Sequence, residues 1–145
     1  GYNDVKIIQK ALWNKEGEII FSSEGADAGR LVDKREITDP ITVEMTSLRG
    51  YLGRPVDFLK IDIEGAETVV IEDCADLLIN VKNLFVEYHS FSDKEQKLDT
   101  LLGILKKAGF RYYIYNFGVL SHHPFEEKKT YLGMDTQLNI YACRF

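Results

Sequence analysis

Several patterns that would assign a function outright are missing from this 145-residue chain. It has two cysteines, Cys74 and Cys143, with no CxxC spacing. That excludes a zinc ribbon and a disulfide-dense scaffold, and both thiols read as reduced groups of a cytoplasmic protein. No run of about 18 apolar residues is present to span a membrane as a helix. The opening Gly1-Tyr2-Asn3-Asp4 lacks the basic start and apolar core of a secretory signal. Basic residues are outnumbered 18 to 23, for a net charge of −5. A chain of that sign has no general attraction to nucleic acid or anionic lipid, so small molecules or proteins are the expected partners. Gly25-Ala26-Asp27-Ala28-Gly29 lacks the GxGxxG spacing and follows a predicted hairpin instead of opening a helix. No Walker lysine motif, GxSxG elbow or HExxH pair occurs, which argues against nucleotide hydrolysis and serine hydrolysis.

What is present describes one ordinary globular domain, with 45% hydrophobic and 28% charged residues. Residues 5–21 read as a hairpin, with strands either side of a turn at Asn14-Lys15-Glu16-Gly17. Residues 22–40 read as a long loop. A short strand follows at 41–45, and Thr46 or Ser47 is placed to cap a short helical segment ending at Tyr51. The strongest strand is 56–63. A helix over 66–78 leads to a second strand over 81–88. Ser92-Asp93-Lys94-Glu95 has the form of a capping box, opening a helix with Leu98, Leu101, Leu102, Leu105 and Ala108 on one side. Gly109 closes it, and strands follow at 110–116 and 138–144. Strands alternating with helices predict crossover connections and a mostly parallel sheet.

Ligands of such sheets bind outside the carboxyl ends of the strands, and two of those ends are polar. In Lys60-Ile61-Asp62-Ile63-Glu64-Gly65-Ala66-Glu67, a period of two puts Lys60, Asp62 and Glu64 on one face and Leu59, Ile61 and Ile63 on the other. Interior strands of a doubly wound sheet are apolar on both faces, and departures from that pattern mark functional sites. The plain alternative is an ion pair of Lys60 with Asp62 or Glu64, with Glu67 favoured by the dipole of the helix start. The second end is Glu87-Tyr88-His89-Ser90, where Glu87 and His89 share a face. Beside Asp62 and Glu64 they would make a general base with its orienting acid, a hard-metal site, or a capping network for the next loop. His122-His123-Pro124 lies in a polar loop without a neighbouring carboxylate and reads as surface.

The run Asp57-Phe58-Leu59-Lys60-Ile61-Asp62-Ile63-Glu64-Gly65-Ala66-Glu67 resembles the signature of FkbM-type methyltransferases, which use S-adenosylmethionine (SAM). The likeness continues through Leu84-Phe85-Val86-Glu87-Tyr88-His89, and upstream at Ala11-Leu12, Gly17, Thr42-Val43 and Ser47-Leu48. It implies a class I (Rossmann-like) α/β sheet of strand order 3-2-1-4-5-7-6 with helices on both faces. Residues 5–8 would be strand 3, 56–63 strand 4, 81–88 strand 5, and 110–116 and 138–144 strands 6 and 7. The glycine-rich SAM loop and the ribose-binding acid would precede Gly1. The chain is therefore expected to be a single domain over 1–145, the C-terminal portion of a longer methyltransferase domain lacking strands 1 and 2, and weak or inactive alone.

The resemblance implies O-methylation of a hydroxyl on a sugar or polyketide-like small molecule. It places His89 or Glu87 as the base, Asp62 as catalytic and cofactor-holding, and Glu64 and Ala11 as further cofactor contacts. A divalent metal on Asp62, Glu64 and Glu87 is compatible with it but not required. Two rival readings remain. One is a non-catalytic protein-binding or homo-oligomerising module on a remnant of that fold. The other is a metal-dependent hydrolase built on Asp62, Glu64 and His89.

Overall fold

The computed structural model describes residues 4–22, 40–116, 123, 125–127 and 129–145. Strands β1 (Ala11–Trp13), β2 (Gly17–Ser22) and β3 (Pro40–Ser47) form one sheet, in the order β1-β3-β2. A second sheet has the order β4-β5-β7-β6, from β4 (Val56–Ile61), β5 (Val81–Phe91), β6 (Arg111–Asn116) and β7 (Met134–Cys143). Helix α1 (Glu67–Asp73) and a 3-10 helix (Ala75–Asn80) connect β4 to β5, and α2 (Leu98–Lys107) connects β5 to β6. The order β4-β5-β7-β6 is the one the resemblance implies for those four segments.

Four expectations are corrected. The sheets are mixed and not mostly parallel: β1·β3 and β4·β5 are parallel, while β2·β3, β5·β7 and β6·β7 are antiparallel. Among the described residues, only β4 to β5 uses a helical crossover between neighbouring strands, and β7 enters between β5 and β6 in the opposite sense. Residues 5–21 are not a hairpin, because β3 lies between β1 and β2 and takes the hydrogen bonds of both. Residues 5–8 form no strand; the first begins at Ala11. Among the described residues, α1 and α2 also pack against each other, and so lie on one side of the sheet, not both. The predicted loop at 22–40 and the Gly25–Gly29 segment fall almost wholly outside the described residues, as do His122 and Pro124.

The core forms where helical and strand periodicities meet. Val81, Leu84, Val86 and Ile140 from the strands pack with Val70, Ile71, Leu101 and Leu105 from the helices. On β7, Leu138, Ile140 and Ala142 share the buried face, as period two requires. Cys74 belongs to this core, and burial above all pushes its thiol up to about 11. Arg144 ties the helix ends to β7 by donating to the carbonyls of Leu78, Ile79, Val81 and Ala108.

Ser47 caps the 3-10 helix over Leu48–Tyr51 as expected, accepting from Arg49 N at 3.1 Å. Ser47 Oγ also donates to Asp73 Oδ2 at 2.6 Å, which links the small sheet to α1. The predicted capping box does not form. Helix α2 starts at Leu98, with Lys97 as its cap and no side-chain cap bond. The phenol oxygen of Tyr88 instead accepts from Lys97 N at 3.0 Å, so a core side chain takes the place of the local one.

Candidate functional site

The parallel pairing of β4 and β5 brings both polar strand ends to one edge. Asp62 and Glu64 follow the end of β4 there, and Glu87 and His89 lie in the part of β5 that runs on past its last pair with β4. The turn between β4 and α1 is unusual, because both Glu64 (φ 51°) and Gly65 (φ 95°) take left-handed backbone conformations. A non-glycine residue there costs about 1–2 kcal/mol, so other contacts must hold the turn. Gly65 is required for a second reason: a Cβ at this position would sit 2.8 Å from Cε2 of the buried Phe91 ring. The register of β5 against β7 shifts between Ser90 and Phe91, at the same end of the strand.

Glu67 holds the turn. It is 1% exposed, and its Oε1 accepts from Ile63 N at 3.2 Å and from Gly65 N at 3.0 Å. The same oxygen meets His89 Nδ1 at 2.9 Å, across 22 residues of sequence. Since that oxygen already accepts from two amides, Nδ1 is the donor, which turns Nε2 toward the other carboxylates. Nε2 lies 3.7 Å from Glu87 Oε1 and 3.8 Å from Glu64 Oε2. Burial, the largest single influence, works against charge on His89. The hydrogen bond to Glu67 and the fields of Glu67, Glu64 and Glu87 together outweigh it and raise the pKa above the usual histidine value.

Of the predicted residues, Asp62, Glu64, Glu87 and His89 come together. Lys60 Nζ pairs with Asp62 Oδ2 at 2.9 Å in a largely exposed contact, as the plain ion-pair reading expected. Gln137 Nε2 donates to Glu87 Oε1 at 2.6 Å. Gln137 and Asn139 were not singled out, because only the β5·β7 register sets them opposite His89 and Glu87. The grip of Glu67 on His89 was missed because it joins the start of α1 to β5 across 22 residues, although Glu67 sits within the quoted motif.

Ala11 lies apart from the cluster and lines a neighbouring cavity of about 450 Å³. Its other walls include Leu12, Trp13, Ile63, Ala66 and Lys97, and Glu64 stands between cavity and cluster. His123 is exposed.

The Methyltransferase FkbM domain matches residues 3–112. This chain belongs to the FkbM methyltransferase family. The match takes in β1 to β5, α1 and α2, and thus every cavity and cluster residue named above except Gln137 and Asn139. No curated protein and no solved structure gave a significant match. Among the described residues of this FkbM-family chain, no helix is long and apolar enough to cross a membrane.

Proposed function

We propose that this FkbM-family chain belongs to a SAM-dependent methyltransferase that methylates a hydroxyl of a small molecule, of the sugar or polyketide-like class. The observation that carries the reading is the adjacency, within the family-matched segment, of a largely apolar cavity and a carboxylate–histidine cluster, with Glu64 shared between them. The cavity lining itself balances Glu64 and Glu95 against Lys94 and Lys97, so it is the neighbouring carboxylates of Asp62, Glu64 and Glu87 that fit a ligand with an apolar body and a positive centre. SAM supplies a methyl group made electrophilic by its positively charged sulfur.

In this reading Ala11, Leu12 and Trp13 exclude water from one side of the cavity, and Glu64 and Asp62 place negative potential at its mouth. A hydroxyl is a poor nucleophile at neutral pH, so its proton must be taken up as the oxygen forms its new bond. Glu87 and His89 stand where that proton would go. Glu87 reaches solvent, whereas the His89 ring is 2% exposed, so His89 acts on the acceptor through its neighbours. Isothermal titration of SAM into this chain, and into a form extended upstream by about one hundred residues, tests the reading. Saturable binding, at least by the longer form, is expected. Absence of binding by both forms rejects it.

A second reading rests on the sheet face opposite the helices, where Phe58, Tyr113, Tyr115 and Tyr141 are 62%, 59%, 70% and 48% exposed. That aromatic surface suits a protein contact. A monomeric mass by light scattering, combined with SAM binding, would favour the enzyme reading over self-association.

A further inference from the structure

The cluster at the ends of β4 and β5 has the form of a cation site. One ligand atom from each of Asp62, Glu87 and His89 lies within 4.8 Å of the other two. Acidic clusters are common without an ion, so the histidine decides the matter. Its side chain is 2% exposed, and Glu67 fixes Nδ1 as a donor. Nε2 makes no hydrogen bond among the described residues, although carboxylate oxygens face it at 3.7 Å and 3.8 Å. Those separations are too long for hydrogen bonds. The 3.7 Å to Glu87 Oε1 is close to the spacing of two atoms that each lie about 2.1 Å from one shared ion, while Glu64, which lines the cavity, stays outside that set.

A ligating histidine characteristically donates its other ring N–H to a carboxylate, which fixes the tautomer and makes the free nitrogen more basic. Glu67 does that here. A second unmet group stands on the same face. Asn139 is paired across β5·β7 with Glu87, and its buried Oδ1 has no hydrogen-bond partner. The groups facing the cluster are otherwise accounted for. Lys60 holds Asp62 Oδ2, and Gln137 holds Glu87 Oε1. Each of those carboxylates keeps one oxygen outside these two contacts.

We infer that Asp62, Glu87 and His89 bind a divalent first-row transition ion, with Mn²⁺ or Zn²⁺ matching two carboxylates and one imidazole nitrogen better than Mg²⁺. The inference deepens the methyl-transfer reading, because such an ion would hold the acceptor hydroxyl and ease loss of its proton. The O–H bond would break with its electron pair left on the metal-bound oxygen. With Glu87 and His89 taken up as ligands, Glu64, outside the ligand set but beside it, would receive the proton in their place.

The test is Mn²⁺ titration, by calorimetry, into chelator-stripped full chain without SAM or acceptor. One saturable Mn²⁺ per chain is expected, with Mg²⁺ at least ten-fold weaker. Asp62→Asn and Glu87→Gln should each weaken Mn²⁺ at least ten-fold, and Glu67→Gln by about 10- to 100-fold through the orientation of His89. Lys60→Met, which removes the competing ammonium, should bind as tightly as wild type or tighter. Circular dichroism identifies any variant that has not folded, and each folded variant still tests the site. Absence of saturable Mn²⁺ binding by wild type overturns the inference, as does wild-type affinity in both Asp62→Asn and Glu87→Gln. SAM titrated into the same samples separates the two ideas. SAM binding without Mn²⁺ binding sinks the metal site alone, and Mn²⁺ binding without SAM binding sinks the methyltransferase reading alone.

Discussion

On the helix side of the four-stranded sheet, Leu84, Val86, Ile140 and Ala142 meet Val70, Ile71, Leu101 and Leu105 in a continuous apolar contact. On the opposite side the same strands carry Lys60, Phe85, Glu87 and Asn139, with aromatic rings standing in solvent. His89 belongs to that open side, yet it is as buried as a core residue, because the β4–α1 turn and Glu67 close over it. The comparison separates two kinds of burial. The helix side is held by area and volume, which many apolar sequences supply. The cluster is held by hydrogen bonds of fixed direction, which few residues can supply.

The sharpest way to break this comparison is Glu67→Ala. It leaves the His89 Nδ1 donor and two backbone amides without their acceptor. A loss of about 3–5 kcal/mol is expected in urea unfolding. Glu67→Gln keeps an acceptor oxygen and should cost less. If the alanine variant loses under about 1 kcal/mol, the turn is held by something else. Leu101→Ala, on the helix side, should cost about 3 kcal/mol as an ordinary core truncation. Phe58→Ser on the open side should stay within about 0.5 kcal/mol. Equal losses at these two positions would mean that the open face is covered in solution.

Gly65→Ala should cost roughly 1–3 kcal/mol, because the left-handed backbone is strained for alanine and the new Cβ meets the Phe91 ring. Adding Phe91→Leu should recover part of the loss, and no recovery would place the whole penalty in the backbone. The smallest effect is expected away from both faces, at the exposed Arg49–Asp76 pair. The hydrogen bond from Arg49 holds the Asp76 carboxyl below the usual carboxylate range. Its stabilising contribution is therefore complete above the unfolded value and is lost as pH falls through the folded one. The melting difference between wild type and Asp76→Asn should be small near pH 6 and shrink toward about pH 3. A difference that grows on acidification would contradict the pairing.

Much of the site could be read along the chain, because its residues lie close in sequence and period two assigns them to faces. Asp62 and Glu64 follow one strand, Glu87 and His89 lie near the end of the next, and the helical crossover between them makes parallel neighbours the expected result. Ser47 as a cap and Gly109 after α2 were legible for the same local reason. The capping box at Ser92 was a sound local signal that lost to the Tyr88 hydroxyl, which tertiary packing delivers to the helix start. The hairpin at 5–21 failed because β3, distant in sequence, lies between the two strands, pairing antiparallel with all six residues of β2 and parallel with the three of β1.

The sequence by itself determined which residues face in and which face out, where helices and strands alternate, and which family the motif belongs to. These follow from side-chain periodicity and from a contiguous run of residues. Only the tertiary structure decided that Glu67 closes on His89, that Gln137 and Asn139 stand over the cluster, and that both helices share one side. Such contacts join residues tens of positions apart, and which of them form depends on competition among all available partners once the chain has closed on itself.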